Sequence, residues 1–387
     1  ADTAEDLQNS LNIFEQYCNT WKLTVNVSKT KIVIFSKRNC NKKFKFNLCN
    51  DEIEIQDTYT YLGLLFNYNG NFCKARNKLA DQAQKALYSL YQRINNISIP
   101  LDLQIKLFDS LVAPILTYSS EIWGYENKMN IEKIHLQFCK KILGVRSSTA
   151  NFMVYGELGR FPIEISIKMK MICFWYKLVT NVDKLSGKLY KLMFNLCENG
   201  NNSFKWINYV KSIFDETGNS EIWQVQENVN LNFLKFNVKQ ILHDQFIQKW
   251  FSDIDNSSRG KFYSKFKTDF CMEPYLIRLR KFSRLYICKL RTCNIKFPIE
   301  TGRWNRIPEI ERKCKLCKTG LGDEYHYIAL CNNADVIKIR NAYIPNYYRI
   351  NPNINKLYGM LKYCNLHVLT NLSIFIQKVE KLLLSLY

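Results

Sequence analysis

At 387 residues, 47% hydrophobic and 14% aromatic, the chain has material for two or three domains with sizeable cores and is too apolar to be disordered. No apolar run approaches the roughly 18 residues that a bilayer span requires; the nearest, MKMICFWYKLV, is broken by Lys170 and Lys177 and reads as a buried helix. The 55 Lys plus Arg against 34 Asp plus Glu give a formal charge of +21, which draws polyanions, nucleic acid first among them.

The basic residues are spread along the chain rather than gathered in one block, so no membrane partner is expected. A generically Lys-rich protein is the plainer alternative, since Asn, Lys, Ile, Tyr and Phe are all abundant. Fourteen cysteines with no hydrophobic leader segment point to a reducing intracellular compartment, nucleus or cytoplasm. Most, such as Cys139 and Cys173, read as core thiols; Cys314, Cys317 and Cys331 stand apart.

A helix is predicted over residues 3–20, capped by Thr3, with Glu5 and Asp6 at its positive end and Leu7, Leu11, Phe14 and Cys18 on one face. Short strands follow: KIVIFSK, then FKFNLCN and EIEIQD flanking a turn at Asn50-Asp51, then YTYLGLLFN as one strand with Gly63 marking a bulge or close approach. From about residue 70 the pattern is helical. CKARNKLADQAQKALYSLYQRINN sets Leu79, Ala83, Leu87, Leu90 and Ile94 on one side and leaves Lys74, Arg76, Lys78 and Lys85 on the surface. Pro100 suits a first helical turn and Pro114 a kink or stop. Further helices are expected over 131–143 and 163–181, with loops or linkers near 195–205 and 253–261. There is no internal repeat. The fold class is α+β, predominantly α-helical, with a small β-containing start.

The strongest chemical signal is CKLCKTGLGDEYHYIALC. Cys314 and Cys317 have the C-x2-C spacing of a zinc knuckle, and His326 and Cys331 complete a tetrahedron of three thiolates and one imidazole. Four protein ligands leave no open position, so the implied Zn2+ is structural. Upstream, LIRLRKFSRLYICKLR sets Leu276, Leu279, Tyr286 and Leu290 toward a core and leaves Arg278, Arg280, Lys281, Arg284, Lys289 and Arg291 for phosphates. Tyr286 or Trp304 could stack on a base. Arg303, Arg306, Arg312, Lys313, Lys315 and Lys318 add charge beside the cysteines. No phosphate-binding G-x-x-x-x-G-K-[ST] loop and no G-x-S-x-G elbow occurs. Beyond the cysteines only Asp335 and Glu380 remain as carboxylates, too few for a nuclease in the tail.

Taken in order, these pieces resemble the C-terminal part of a reverse transcriptase from a non-LTR (LINE-type) retrotransposon. CNTWKLTVNVSKTKIVIFSK resembles motif D of the polymerase palm, and YTYLGLLF the primer-grip strand, with Tyr61-Leu62-Gly63 at its centre. KALYSLYQRI and LVAPILTYSSEIWG resemble thumb helices, FCKKILGVRSSTANFMVYGELGRFPI the connecting region, and IETGRW, ERKCKLC and GDEYHYIALC the terminal zinc region. The resemblance implies a palm edge over 1–68, a helical thumb over 69–150, a helical connector over 151–275, a basic helix with zinc region over 276–335 and a helical tail over 336–387. It implies an RNA template and an RNA/DNA or DNA primer-template as partners. Lys29 falls where the family's motif D lysine steadies the leaving pyrophosphate.

In that family an Asp pair in a [FY]-A-D-D turn and a third Asp hold two Mg2+ ions. In this chain Asp2 runs straight into Thr3 and the helix, without the intervening strand, so ADT resembles the end of that hairpin. The expectation is that the catalytic pair lies before Ala1, that Mg2+ belongs only to the intact parent, and that the missing palm and fingers are the natural intramolecular partner. No residue here is then catalytic. Two alternatives stand beside a non-catalytic polymerase fragment: a stand-alone zinc-containing nucleic-acid-binding protein without polymerase role, and a decayed product with no function.

Overall fold

The computed structural model describes residues 1–36, 44–96, 99–200, 203–227, 229–363 and 365–385. The first helix, Ala4–Thr20, starts as its sequence dictates: Thr3 Oγ1 accepts the Asp6 N–H at 3.1 Å, and Glu5 and Asp6 occupy the first turn. Cys18 is buried, and Leu7 and Leu11 pack on a small core of Ile32, Phe46, Leu48 and Ile53. Phe14, expected on the same face, is 46% exposed. The unit beneath the helix is too small to reach it.

Strands β1 (Asn47–Leu48) and β2 (Asp51–Glu52) pair antiparallel. The turn between them is Cys49-Asn50, both at positive φ (50° and 65°), one residue earlier than the expected Asn50-Asp51. Two left-handed central residues suit the right-handed twist of a two-residue hairpin, which puts Asp51 into the strand opposite Leu48. KIVIFSK does not become a strand among the described residues. Only Ile32 bridges, parallel to Ile55, because the neighbouring backbone runs alongside it at that point alone; Lys37 lies outside the described residues.

YTYLGLLFN is a hairpin rather than one strand: β3 (Thr58–Tyr61) pairs antiparallel with β4 (Leu64–Asn67). Leu62 (φ 47°) and Gly63 (φ 86°) reverse the chain. A Cβ at Gly63 would sit 3.3 Å from the Tyr118 ring, whose hydroxyl donates to the Leu62 carbonyl. Lys78 Nζ reaches Thr60 Oγ1 at 3.2 Å, so the hairpin is fastened to the helical body.

The body is mostly helical, and its core runs without interruption from Leu64 to Leu383. Helix Cys73–Asn96 buries Leu79, Ala83, Leu87 and Leu90 against helix Met129–Leu143. Arg76, expected on the surface, is buried and paired with Glu126 at 2.7 Å. It stands three residues before Leu79 and so falls on the core stripe. Pro100 immediately precedes helix Leu101–Leu111, and Pro114 sits in the first turn of Ala113–Leu116 after a break at Val112.

Helix Ile163–Thr180 is the central element. Ile167, Met171, Ile172 and Trp175 are fully buried, and helices Leu185–Glu198 and Leu231–Asp255 pack on it. Lys170, which breaks its apolar run, donates to the Thr117 carbonyl at 2.7 Å and hydroxyl at 2.8 Å. Cys139 is buried as expected, and Cys173 is half-buried. The expected loops follow helix ends at Glu198 and Asp255. Helix Lys281–Arg291 lies against the C-terminal helix Leu366–Leu384, which also packs on Ala334–Tyr343. Among the described residues no helix is long and apolar enough to cross a membrane.

Candidate metal centre and basic surfaces

The cysteine-rich segment folds around its own backbone bonds. Lys313 and Leu321 form an antiparallel bridge, Cys314 N–H donates to the Gly320 carbonyl at 3.1 Å, and Lys318 N–H to the Cys314 carbonyl at 2.9 Å. The reversal needs left-handed backbone at Lys318 (φ 60°) and Gly320 (φ 68°). At Gly320 a Cβ would also stand 3.0 Å from His326 Nδ1.

His326–Leu330 is a π turn, and Cys331 N–H donates to the His326 carbonyl at 2.7 Å. This i→i+5 bond closes the turn with Cys331 just past its end, and the His326 and Cys331 donor atoms lie within 4.8 Å of each other. Asp323 Oδ1 accepts the His326 N–H at 2.7 Å and fixes the start of the turn. Arg340, buried in helix Ala334–Tyr343, donates to the Tyr327 and Cys331 carbonyls at 3.1 and 2.9 Å and fixes its end.

The donor atoms of Cys314, Cys317, His326 and Cys331 lie within 4.8 Å of one another. Cys314 Sγ and Cys331 Sγ are 3.8 Å apart, and Cys317 Sγ and His326 Nε2 3.2 Å. Zinc bonds of about 2.3 Å to sulfur and about 2.0 Å to nitrogen separate tetrahedral donors by about 3.5–3.8 Å, so the four residues fit such an ion. A thiol hydrogen bond from Cys331 pulls the Cys314 thiol far below its ordinary range, and the same contact pushes Cys331 up. A bound cation would displace the protons of these thiols. Tyr327 stacks on Phe297 at 4.6 Å, and Ile299 N–H donates to the Gly322 carbonyl, which seats the knuckle on helix Pro298–Trp304. A metal here would hold fold rather than substrate.

The basic helix divides. Arg278, Arg280 and Lys281 are exposed, as is Arg306, but Arg284 and Arg291 are buried. Arg291, fully buried, pairs with Glu157 and Glu273, each at 3.0 Å, and donates to the Leu361 carbonyl at 2.7 Å. Arg284 and Arg291 continue the i, i+3, i+4, i+7 stripe through Ile287 and Cys288, which the density of positive charge had obscured. Arg303 pairs with the buried Glu300 at 2.8 Å, and Arg312 is held by the Ile307 and Ile299 carbonyls. Leu276, Leu279 and Leu290 are buried as expected, whereas Tyr286 is only half-buried, under Lys289. The Arg146 guanidinium lies 3.9 Å from the Trp304 ring centroid, so one face of that indole is taken.

Tyr61 and Leu62 are exposed at the tip of the β3–β4 hairpin with Gly63, and Lys29 is exposed at the end of a 3-10 turn. The structure does not bring these together with the metal ligands into one site.

Sequence reasoning missed a groove of about 970 Å³ between helices Cys73–Asn96 and Met129–Leu143. Lys133, Lys140 and Lys141 line it with Tyr88 and Tyr91, and Lys141 Nζ stands 5.9 Å from the Tyr91 ring. Lys133, Gln137 and Lys140 at i, i+4 and i+7, and two tyrosines three apart, would have marked it.

Against known proteins, the chain is 27% identical over 134 residues, 34% of its length, to an uncharacterized transposon-derived protein of Caenorhabditis elegans. It spans about half, 47%, of that relative's length. No family model and no solved structure matches the chain.

Proposed function

We propose that this chain is the nucleic-acid-binding, zinc-bearing part of a retroelement reverse transcriptase. In this reading residues 1–68 are a palm edge, 69–150 the thumb, 151–275 the connector, 276–335 the basic helix and zinc region, and 336–387 the tail. Cys314, Cys317, His326 and Cys331 hold a structural Zn2+. The chain grips an RNA template with its RNA/DNA or DNA primer and carries no catalytic carboxylates of its own; Mg2+ serves only the intact parent polymerase. The likeness to a transposon-derived protein supports the origin. The exposed Ile13, Phe14, Tyr17, Trp21 and Leu23 supply the face on which the rest of a palm packs.

The observation that carries the binding role is the groove of Tyr88, Tyr91, Lys133, Lys140 and Lys141. Lysines at one helical face meet phosphates, and tyrosine rings offer platforms for bases. The test is RNA and primer-template affinity across a salt series. Each phosphate contact removed by Lys133→Gln, Lys140→Gln or Lys141→Gln lowers the salt slope by about one. Binding that is absent, or indifferent to salt and to these variants, overturns the reading. Primer extension by the purified chain overturns its non-catalytic part.

A stand-alone zinc-containing nucleic-acid-binding protein is the second reading, and the continuous core from Leu64 to Leu383 favours it. It expects salt-sensitive RNA binding that survives removal of residues 1–56, which lie outside that core, and is lost with Cys314→Ser.

A further inference from the structure

Helix Leu185–Glu198 buries one side and leaves the other bare. Leu185, Leu189, Leu192 and Leu196 are 73%, 50%, 56% and 38% exposed, and Val182, in the turn before the helix, is 54% exposed. The leucines are spaced four, three and four, the seam spacing of two mated helices. The helix cannot roll over to hide them. A Cβ at Gly187 would lie 2.2 Å from the Asn181 carbonyl oxygen, so the backbone is already in close contact there. Tyr190, on the same buried side, accepts from Trp175 Nε1 at 2.9 Å and donates to Gln226 Oε1 at 2.6 Å.

Single exposed leucines are ordinary on protein surfaces; four in register along one ridge are not. Helix Leu185–Glu198, 14 residues, is about 21 Å long at 1.5 Å per residue. We propose that this ridge docks an acidic amphipathic helix of another protein, about four turns long, with its own apolar residues at the same spacing.

Charge selects that occupant. Lys184, Lys188 and Lys191 are exposed beside the leucines, and Lys211 of helix Lys205–Glu216 stands near Cys197. Within residues 182–198 the acids are Asp183 and Glu198, one at each end. A second copy laid seam to seam would set lysine against lysine within a chain already at +21, whereas Asp or Glu flanking a partner's seam meets the lysines directly. This docking is independent of nucleic-acid binding and uses none of the groove residues.

The test uses the full chain and a labelled four-turn peptide with leucine at seam positions and glutamate beside them, against a scrambled peptide of the same composition. Fluorescence anisotropy is expected to show binding of the first alone, weakened by salt and at least tenfold by Leu189→Ser/Leu192→Ser. RNA affinity and the circular dichroism spectrum should not change in that variant. Equal binding of the scrambled peptide, undiminished binding by the variant, or no binding overturns the proposal. So does a seam-dependent dimer in sedimentation, or seam-dependent capture by anionic lipid vesicles.

Discussion

Up to Ile55, among the described residues, a cluster of four buried side chains, Ile32, Phe46, Leu48 and Ile53, holds a helix to a hairpin whose strands are two residues each. From Leu64 onward, one core carries three fully buried tryptophans, Trp123, Trp175 and Trp250, and a buried Arg291 satisfied by two carboxylates and a carbonyl. The first region shows Ile13, Tyr17, Trp21 and Leu23 at more than half exposure; the second has enough mass to bury even charge. Burial capacity, not local pattern, separates them. The opening helix is as amphipathic and as well capped as many in the body, yet it lacks a partner of matching size.

The sharpest way to probe the body is at its buried charge. Arg291→Ala leaves the fully buried Glu157 without a cation, while Glu273 keeps Lys267 at 2.6 Å, and a cost of about 3–5 kcal/mol is expected by urea denaturation. Arg280→Ala, on an exposed turn next to the same helix, should change stability by less than about 0.5 kcal/mol. Equal effects would mean that the carboxylates around Arg291 find other partners. Next comes the metal. Zinc at a thousandfold above its dissociation constant would stabilise the body by about 4 kcal/mol, lost on chelation and absent in Cys331→Ser. A melting temperature indifferent to zinc in the wild-type chain would remove the metal from the fold.

How far these regions were legible follows the same division. Helix Cys73–Asn96, with its stripe, and the Cys314/Cys317/His326/Cys331 set are legible directly, because periodicity and ligand spacing are local properties, and Ile163–Thr180 is legible from its apolar run. Arg76, Arg284 and Arg291 were misplaced because residue type suggested surface while position on the stripe dictated core. Their partners Glu126, Glu157 and Glu273 lie far away in sequence. Gly63 reads as a bulge or a close backbone approach, and the approach is there, a Cβ at Gly63 falling 3.3 Å from the Tyr118 ring; the hairpin itself is not legible because one glycine suits strand, bulge and turn alike. What decides is the Tyr118 hydroxyl held over the turn, 56 residues on. The π turn that aims His326 left no sequence signal beyond the ligands themselves.

A smaller effect is expected at Glu132, which accepts from His135 Nδ1 and the Tyr155 hydroxyl, both at 2.7 Å, and from the Ile163 N–H at 2.8 Å. Burial alone would raise its pKa, but these donors hold it below the ordinary carboxylate value. A depressed acid stabilises the fold fully above its unfolded pKa, and the contribution fades as pH falls through the folded one. Glu132→Gln should therefore cost about 1–3 kcal/mol at neutral pH and progressively less in acid. A constant difference from pH 7 down to pH 3 would show that the carboxylate's charge is not what the three donors hold.

The smallest effect is the most direct test of the regional contrast. Removing residues 1–56 takes away the small core but keeps β3 and β4, which the body holds through Lys78 and Tyr118. The bond from Ser36 N–H to the Tyr68 carbonyl, 3.0 Å long, is one link the deletion cuts. A single partly solvated hydrogen bond is replaced by water at little net cost, so the unfolding free energy of the remainder should move by less than about 0.5 kcal/mol. Solubility should rise with the loss of Trp21 and its apolar neighbours. A body that loses several kcal/mol on this deletion would mean that the two cores fold as one, and that the exposed face of the first helix has to be explained within the chain rather than by a covering partner.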